Sequence, residues 1–213
     1  GPFDTRGFSS QPVILQKTPS LADGDAVLRP VTVQAGDSLS RIAGQRVDGI
    51  IGTPYLWRWP VQFDYPAGRF RVFPRTYDVA TVPVEAPWSG TTPLRIQDRA
   101  AYAQVALNGG GPRWMMLDTG ASGMVIREET AAKYGARSSP LESWSVGAFG
   151  DRRTSKYWLI GAIRVAGLTV ENAQAFTPQP WGDWPSEQPG NDALDQFRVP
   201  LDATRRIARL VFP

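Results

Sequence analysis

Met115-Met116-Leu117-Asp118-Thr119-Gly120-Ala121-Ser122 is an apolar run that ends in an acid, a threonine and three small residues. Apolar residues running into turn formers read as a short buried strand entering a tight loop. Upstream, AYAQVAL ends in Asn108-Gly109-Gly110-Gly111-Pro112, which predicts a hairpin whose second strand carries Trp114 to Leu117. Downstream comes the apolar pair Val125-Ile126, then Glu128 to Tyr134, which reads as a short helix closed by Gly135. Asp-Thr-Gly alone also occurs in ordinary turns, where the aspartate caps the backbone, so its meaning depends on the rest of the chain.

The 213 residues contain no histidine and no cysteine. That excludes Ser-His and Cys-His nucleophile pairs and His/Cys zinc cages, so no metal or cofactor is expected, and catalysis must rest on carboxylates, lysine, hydroxyls or backbone dipoles. The net charge of +3 comes from dispersed arginines. The densest group, Arg205-Arg206 with Arg209, reads as a solvated face and not a nucleic-acid surface. No apolar run reaches the roughly 20 residues that cross a bilayer, and no signal-peptide pattern opens the chain. A soluble protein whose targeting segment has been removed is the expectation. A cysteine-free chain is compatible with the bacterial periplasm or export, and equally with the cytosol.

With 21 glycines and 19 prolines spaced between short Val-, Ile-, Phe- and Trp-rich segments, the chain predicts an all-β fold with few helices. Besides Glu128 to Tyr134, a turn or two over Ser38 to Ala43 and a short helix in NDALDQF near Asp192 are expected. The segment Val47 to Pro74 recurs in degraded form as Pro189 to Pro213. Gly52 falls on Gly190, Leu56 on Leu194, Trp59 on Phe197, Val61 on Val199, Phe63 on Leu201 and Asp64 on Asp202. Upstream, Phe3-Asp4-Thr5-Arg6-Gly7 echoes Leu117-Asp118-Thr119-Gly120. The repeat predicts two unequal, pseudo-symmetric lobes in a bilobal barrel or sandwich: residues 1–75, a connector over 76–94, and residues 95–213.

An apolar strand running into Asp-Thr-Gly-Ala-Ser, with Asp48-Gly49-Ile50-Ile51-Gly52 elsewhere, resembles the retropepsin-like aspartic peptidases, including their bacterial members. The resemblance implies a catalytic Asp118, a bracing Thr119, a glycine at 120 that approaches the carboxylate, and Ser122 as a hydrogen-bond donor. It also implies that Ile50-Ile51-Gly52 packs beneath the catalytic loop of its own lobe, with Gly190 as the relic of that element and Gln188-Pro189 in place of the isoleucines. Hydrolysis in this family uses two facing aspartates that share a proton, one activating water and the other polarising the carbonyl. Asp4, supported by Thr5, is the partner this implies for Asp118, although Arg6 stands where the family has glycine. The substrate would be an extended polypeptide beneath a flap, for which Gly147, Ala148, Phe149 and Gly150 in SWSVGAFGDRRTSKYWLI are the candidates. The dyad would form within one chain as an intrachain pseudo-dimer, or between two chains in a homodimer.

Asp64 and Asp202 each precede a turn-forming stretch and read as hairpin-turn residues, and Asp48 as a loop cap. Trp57 and Trp59 read as core or lobe interface; Trp181 and Trp184 are candidates for substrate pockets. Two alternative functions stand beside the peptidase. One is a peptidase-like protein that binds peptide without cutting it. The other is a cell-wall binding module, since Val31 to Ala43 (VTVQAGDSLSRIA) resembles the opening of a LysM module.

Overall fold

A computed structural model of the chain describes residues 14–17, 21–23, 26–28, 32–35, 53–82, 89–98, 100–146, 152–182 and 186–212. The chain divides into two compact units: Gly1–Gly52 with Trp144–Arg153, and Thr53–Ser143 with Thr154–Pro213. In the smaller unit, strands β1 (Ile14–Lys17) and β4 (Thr32–Ala35) pair antiparallel, as do β2 (Leu21–Asp23) and β3 (Ala26–Leu28). The Ser38–Ala43 turn lies outside the described residues.

The larger unit opens with a single helical turn, α1 (Thr53–Leu56), followed by β5 (Val61–Asp64), β6 (Arg69–Val72) and a 3-10 turn over Val79–Thr81. Next come β7 (Ser89–Gln97), β8 (Ala100–Leu107), β9 (Arg113–Met116), β10 (Met124–Val125) and α2 (Glu128–Lys133). The remaining elements are β11 (Arg137–Val146), β12 (Arg152–Leu159), β13 (Ala162–Val165), β14 (Leu168–Glu171), β15 (Gln174–Gln179), α3 (Asn191–Leu194), β16 (Arg198–Asp202) and β17 (Ile207–Val211).

The fold is all-β, as expected. Its long sheet runs β14-β13-β8-β7-β17-β16-β5-β6, with β9 paired to β8. Among the described residues this sheet ends at β14 and β6 without closing, so the barrel part of the expectation is corrected to an open sheet. A second sheet runs β10-β15-β12-β11. The β8–β9 hairpin forms where AYAQVAL meets the glycine-rich turn: Asn108 and Gly109 take positive φ (45° and 74°), and Gly110 N donates to Leu107 O at 2.8 Å. Helix α2 ends as anticipated, with Gly135 at φ 66°. No helix among the described residues is long and apolar enough to cross a membrane.

The sequence repeat has a structural counterpart within the larger unit. Helix α1 corresponds to α3, β5 to β16 and β6 to β17, all at one constant offset along the chain. Asp64 Oδ1 accepts from Ala67 N at 3.3 Å; at the equivalent place Asp202 Oδ1 accepts from Arg205 N at 3.0 Å, so both aspartates cap hairpin turns. Gly68 and Arg206, again equivalent, both take a left-handed backbone, at φ 59° and 56°. Strands β5 and β16 pair antiparallel, with Val61 opposite Leu201 and Phe63 opposite Val199. Since Val61 corresponds to Val199 and Phe63 to Leu201, the two copies meet across Gln62 and Pro200 as a local two-fold pair.

The main core joins Leu107, Met115, Met124 and Ile126 to Leu194, Phe197 and Leu210. The loop after Leu117 is therefore anchored from both sides by apolar burial, at roughly 1.5–3 kcal/mol for each large side chain. Arg209 departs from the expected solvated face. It is buried, and its Nη1 donates to the carbonyls of Ala80 and Val82, tying the 3-10 turn to β17.

Candidate active site

Asp118 follows β9 at a corner whose backbone is fixed on both sides. Met116 N donates to Glu187 O at 2.9 Å, and Leu117 N to Ala101 O at 2.7 Å. Past the corner, Ala121 O accepts from Asn191 N at 2.8 Å, and Thr119 O accepts from the Asn191 side-chain amide at 3.2 Å. The loop is thus threaded between the β8–β9 hairpin and the start of α3.

Among the described residues, the half-buried Asp118 carboxylate has two donors. Oδ1 accepts from Gly120 N at 2.9 Å, and Oδ2 accepts from the Gln188 side-chain amide at 3.1 Å. A Cβ on residue 120 would lie 3.3 Å from Asp118 Oδ1, a tight contact that glycine avoids. Gln188 is 3 % exposed, and its backbone exchanges two hydrogen bonds with Val125, at 2.8 and 2.9 Å. A Cβ on Gly190 would fall 2.3 to 2.6 Å from the backbone atoms of Gly123, so the two segments cross here with backbone against backbone.

Supporting charges surround the loop. Glu187 is buried, pairs with Arg113, and accepts from Arg127 N at 2.9 Å. Asp192 Oδ2 accepts from Met124 N at 3.3 Å. Its carboxyl is raised from its ordinary value, first by burial and then by the nearby Asp195 charge, against the lowering effect of that N–H. Tyr65, arriving from the β5–β6 turn, stacks on Phe63 at 6.3 Å, and its hydroxyl is buried without a hydrogen-bond partner among the described residues. Burial, followed by the charges of Asp118 and Asp195, pushes that hydroxyl up to about 12.

Asp118, Thr119, Gly120 and Ser122 are therefore together on one loop. The side-chain hydroxyls of Thr119 and Ser122 make no hydrogen bond among the described residues. Asp4, Thr5 and Arg6, the Asp48–Gly52 element, and the flap residues Gly147, Ala148, Phe149 and Gly150 lie outside the described residues. The strands expected to flank the flap are present as β11 and β12, and Arg152 sits over the Trp144 ring at 5.0 Å. Trp181 lies under the Arg127 guanidinium at 4.4 Å; Trp184 falls outside the described residues. No group of three or more metal-ligating side chains occurs among the described residues.

Gln188, Asn191 and Tyr65 are the participants that sequence reading missed. For Gln188 a signal existed: a polar residue at a buried position next to a conformationally essential glycine needs a partner. Tyr65 carried no such signal, because its neighbours come from distant strands.

Residues 103–190 match the family model described as aspartyl protease. Among solved structures, the chain is similar to a retropepsin-like aspartic protease from Rickettsia conorii, at 19% identity. That match covers 57% of this chain and 90% of the other, with a TM-score of 0.44. No curated protein matches the chain.

Proposed function

Because residues 103–190 match the aspartyl protease family model, we propose that the protein is an aspartic endopeptidase acting on an extended polypeptide. The observation that carries this reading is the Asp118 carboxylate, held at a strand-to-loop corner by Gly120 N and Gln188 within the matched segment. In the proposed reaction a water lies between Asp118 and a second aspartate. One carboxylate takes a proton from the water as it attacks the peptide carbonyl, while the other donates to the carbonyl oxygen. The diol then collapses: the carboxyl that took the water's proton gives it to the leaving nitrogen as the C–N bond breaks, and the other carboxylate takes back a hydroxyl proton, so the pair is regenerated. Thr119 and Ser122 complete the loop, and the 147–150 segment serves as the flap.

Asp4, with Thr5 beside it, supplies the second carboxylate within a lobe of residues 1–75; residues 95–213 form the other lobe. The paired copies α1–β5–β6 and α3–β16–β17 support an intrachain arrangement, because the chain itself provides both members of a two-fold pair. The polypeptide is the partner class, with no nucleic acid and no cofactor, and a bacterial periplasmic or exported setting fits. Asp118→Asn is expected to lower kcat on an unstructured peptide by at least about a thousandfold, with Asp4→Asn doing the same. Full activity in Asp4→Asn, or a specific activity that falls on dilution, would move the partner aspartate to a second chain.

A second reading, a peptide-binding protein without turnover, is favoured by Gln188, whose side-chain amide already donates to Asp118 Oδ2 at 3.1 Å. Peptide binding without product between pH 3 and 8 would select it.

A further inference from the structure

Apart from the Asp118 loop, the larger unit contains a cavity of about 320 Å³ lined by Arg58, Pro60, Arg75, Asp202, Thr204 and Arg205. That volume is at the lower end for small-molecule pockets. The lining carries three guanidinium groups and one carboxylate, leaving a local excess of two positive charges. Two of the arginines are pinned. Arg205 Nη1 donates to Asp202 Oδ2 at 2.7 Å and to Tyr77 O at 2.8 Å. Arg75 Nε donates to Arg58 O at 3.2 Å while its guanidinium lies 5.0 Å over the Trp59 ring. These contacts leave the other N–H groups of both side chains without acceptors among the described residues. The Arg58 guanidinium has no hydrogen bond or ion pair among those residues at all.

The fold does not require this concentration of charge, and the internal repeat supplies the control. Where the second copy has Thr204 and Arg205, the first has Pro66 and Ala67, yet both hairpin turns close on their aspartate in the same way. Where the first copy has Arg58 after its helical turn, the second has Gln196. The turn needs the aspartate and the backbone N–H, not the guanidinium. All three arginines are exposed, so solvent screens much of their mutual repulsion; gathered around one cavity with a single carboxylate, they present forked donors to an anion.

We propose that this cavity binds a small phosphomonoester, its phosphate taking the free guanidinium N–H groups of Arg58, Arg75 and Arg205. A phosphate group near neutral pH carries close to two negative charges and three acceptor oxygens, which matches both the charge excess and the forked donors. The cavity exceeds the size of the phosphate itself, and the buried Pro60 offers an apolar wall for a short organic tail. The site stands independently of the peptidase reading.

The test is calorimetric titration of the full chain with glycerol phosphate, inorganic phosphate and succinate at fixed ionic strength, with chloride as the control. Saturable binding of one glycerol phosphate per chain is expected, tighter than inorganic phosphate and succinate. Arg58→Gln should weaken it by about tenfold or more with an unchanged unfolding midpoint, since that guanidinium supports no contact of the fold. Arg164→Gln, an exposed change on β13, should leave binding as it is. The proposal is overturned by absence of saturable binding, by equal affinity in Arg58→Gln, or by displacement with chloride at matched ionic strength. Succinate binding as tightly as the phosphomonoester would overturn the ligand class.

Discussion

The two copies of the helix-hairpin element share a skeleton and differ in surroundings. In the first, β6 is the sheet edge: Arg69 and Arg71 are exposed, and Phe70 is 38 % accessible. In the second, β16 lies between β17 and β5, and both strands are buried almost throughout. What the copies keep is the apolar anchor (Leu56 and Leu194), the capping aspartate and the left-handed turn residue. What they do not share are the polar side chains at the two candidate sites. Gln188 and Asn191 tie the second copy to the Asp118 loop, whereas Tyr65 and Arg58 belong to the first. The lesson is that sheet position decides burial, while positions outside the shared skeleton are free to acquire sites.

Breaking the second copy at its crossing with the loop should have the largest effect. Gly190→Ala places a methyl within 2.3 Å of backbone, which cannot rotate away. A loss of at least about 3 kcal/mol in urea unfolding is expected, together with loss of the proposed peptide cleavage. A variant within about 0.5 kcal/mol of the parent would show that the crossing is loose. Next come the two capping aspartates. Asp202 is 2 % exposed and accepts from both the backbone and the guanidinium of Arg205, so Asp202→Ala should cost about 2–3 kcal/mol. Among the described residues Asp64 accepts one longer bond, at 3.3 Å, and Asp64→Ala should cost about 1 kcal/mol. Equal losses would mean that the ion pair adds nothing to the shared cap.

Much of this was legible in the chain because it is local. Asn108-Gly109 announces the β8–β9 hairpin, Gly135 the end of α2, and Asp64 and Asp202 their turns, each through backbone preferences that operate within a few residues. The repeat was legible because equivalent buried positions select similar side chains. The contact of Gln188 was not legible, since its partner Asp118 lies 70 residues away in sequence and the antiparallel bridge to Val125 brings them together. Tyr65 and the Arg58–Arg75–Arg205 cavity were hidden for the same reason: the β5–β16 pairing assembles them, and no periodicity encodes which distant strands pair. The openness of the long sheet also escaped the sequence, because nothing local in β14 or β6 distinguishes an edge from a closed ladder.

The finest distinction between the copies is the left-handed turn position, glycine at 68 and arginine at 206. Neither site is confounded by packing: a Cβ on Gly68 would meet nothing within 4 Å, and the Arg206 side chain is exposed without a partner among the described residues. A residue with a Cβ pays about 1–2 kcal/mol to hold positive φ, while glycine loses about 0.5–1 kcal/mol more chain freedom on folding. The difference gives the sign in each direction. Arg206→Gly should stabilise the protein by about 0.5–1 kcal/mol and Gly68→Arg should destabilise it by a similar amount, both read from urea midpoints at unchanged slope. If Gly68→Arg proves neutral, the exposed edge hairpin of the first copy relaxes where the buried hairpin of the second cannot, and the skeleton they share is enforced by burial in β16–β17 more than by the turn itself.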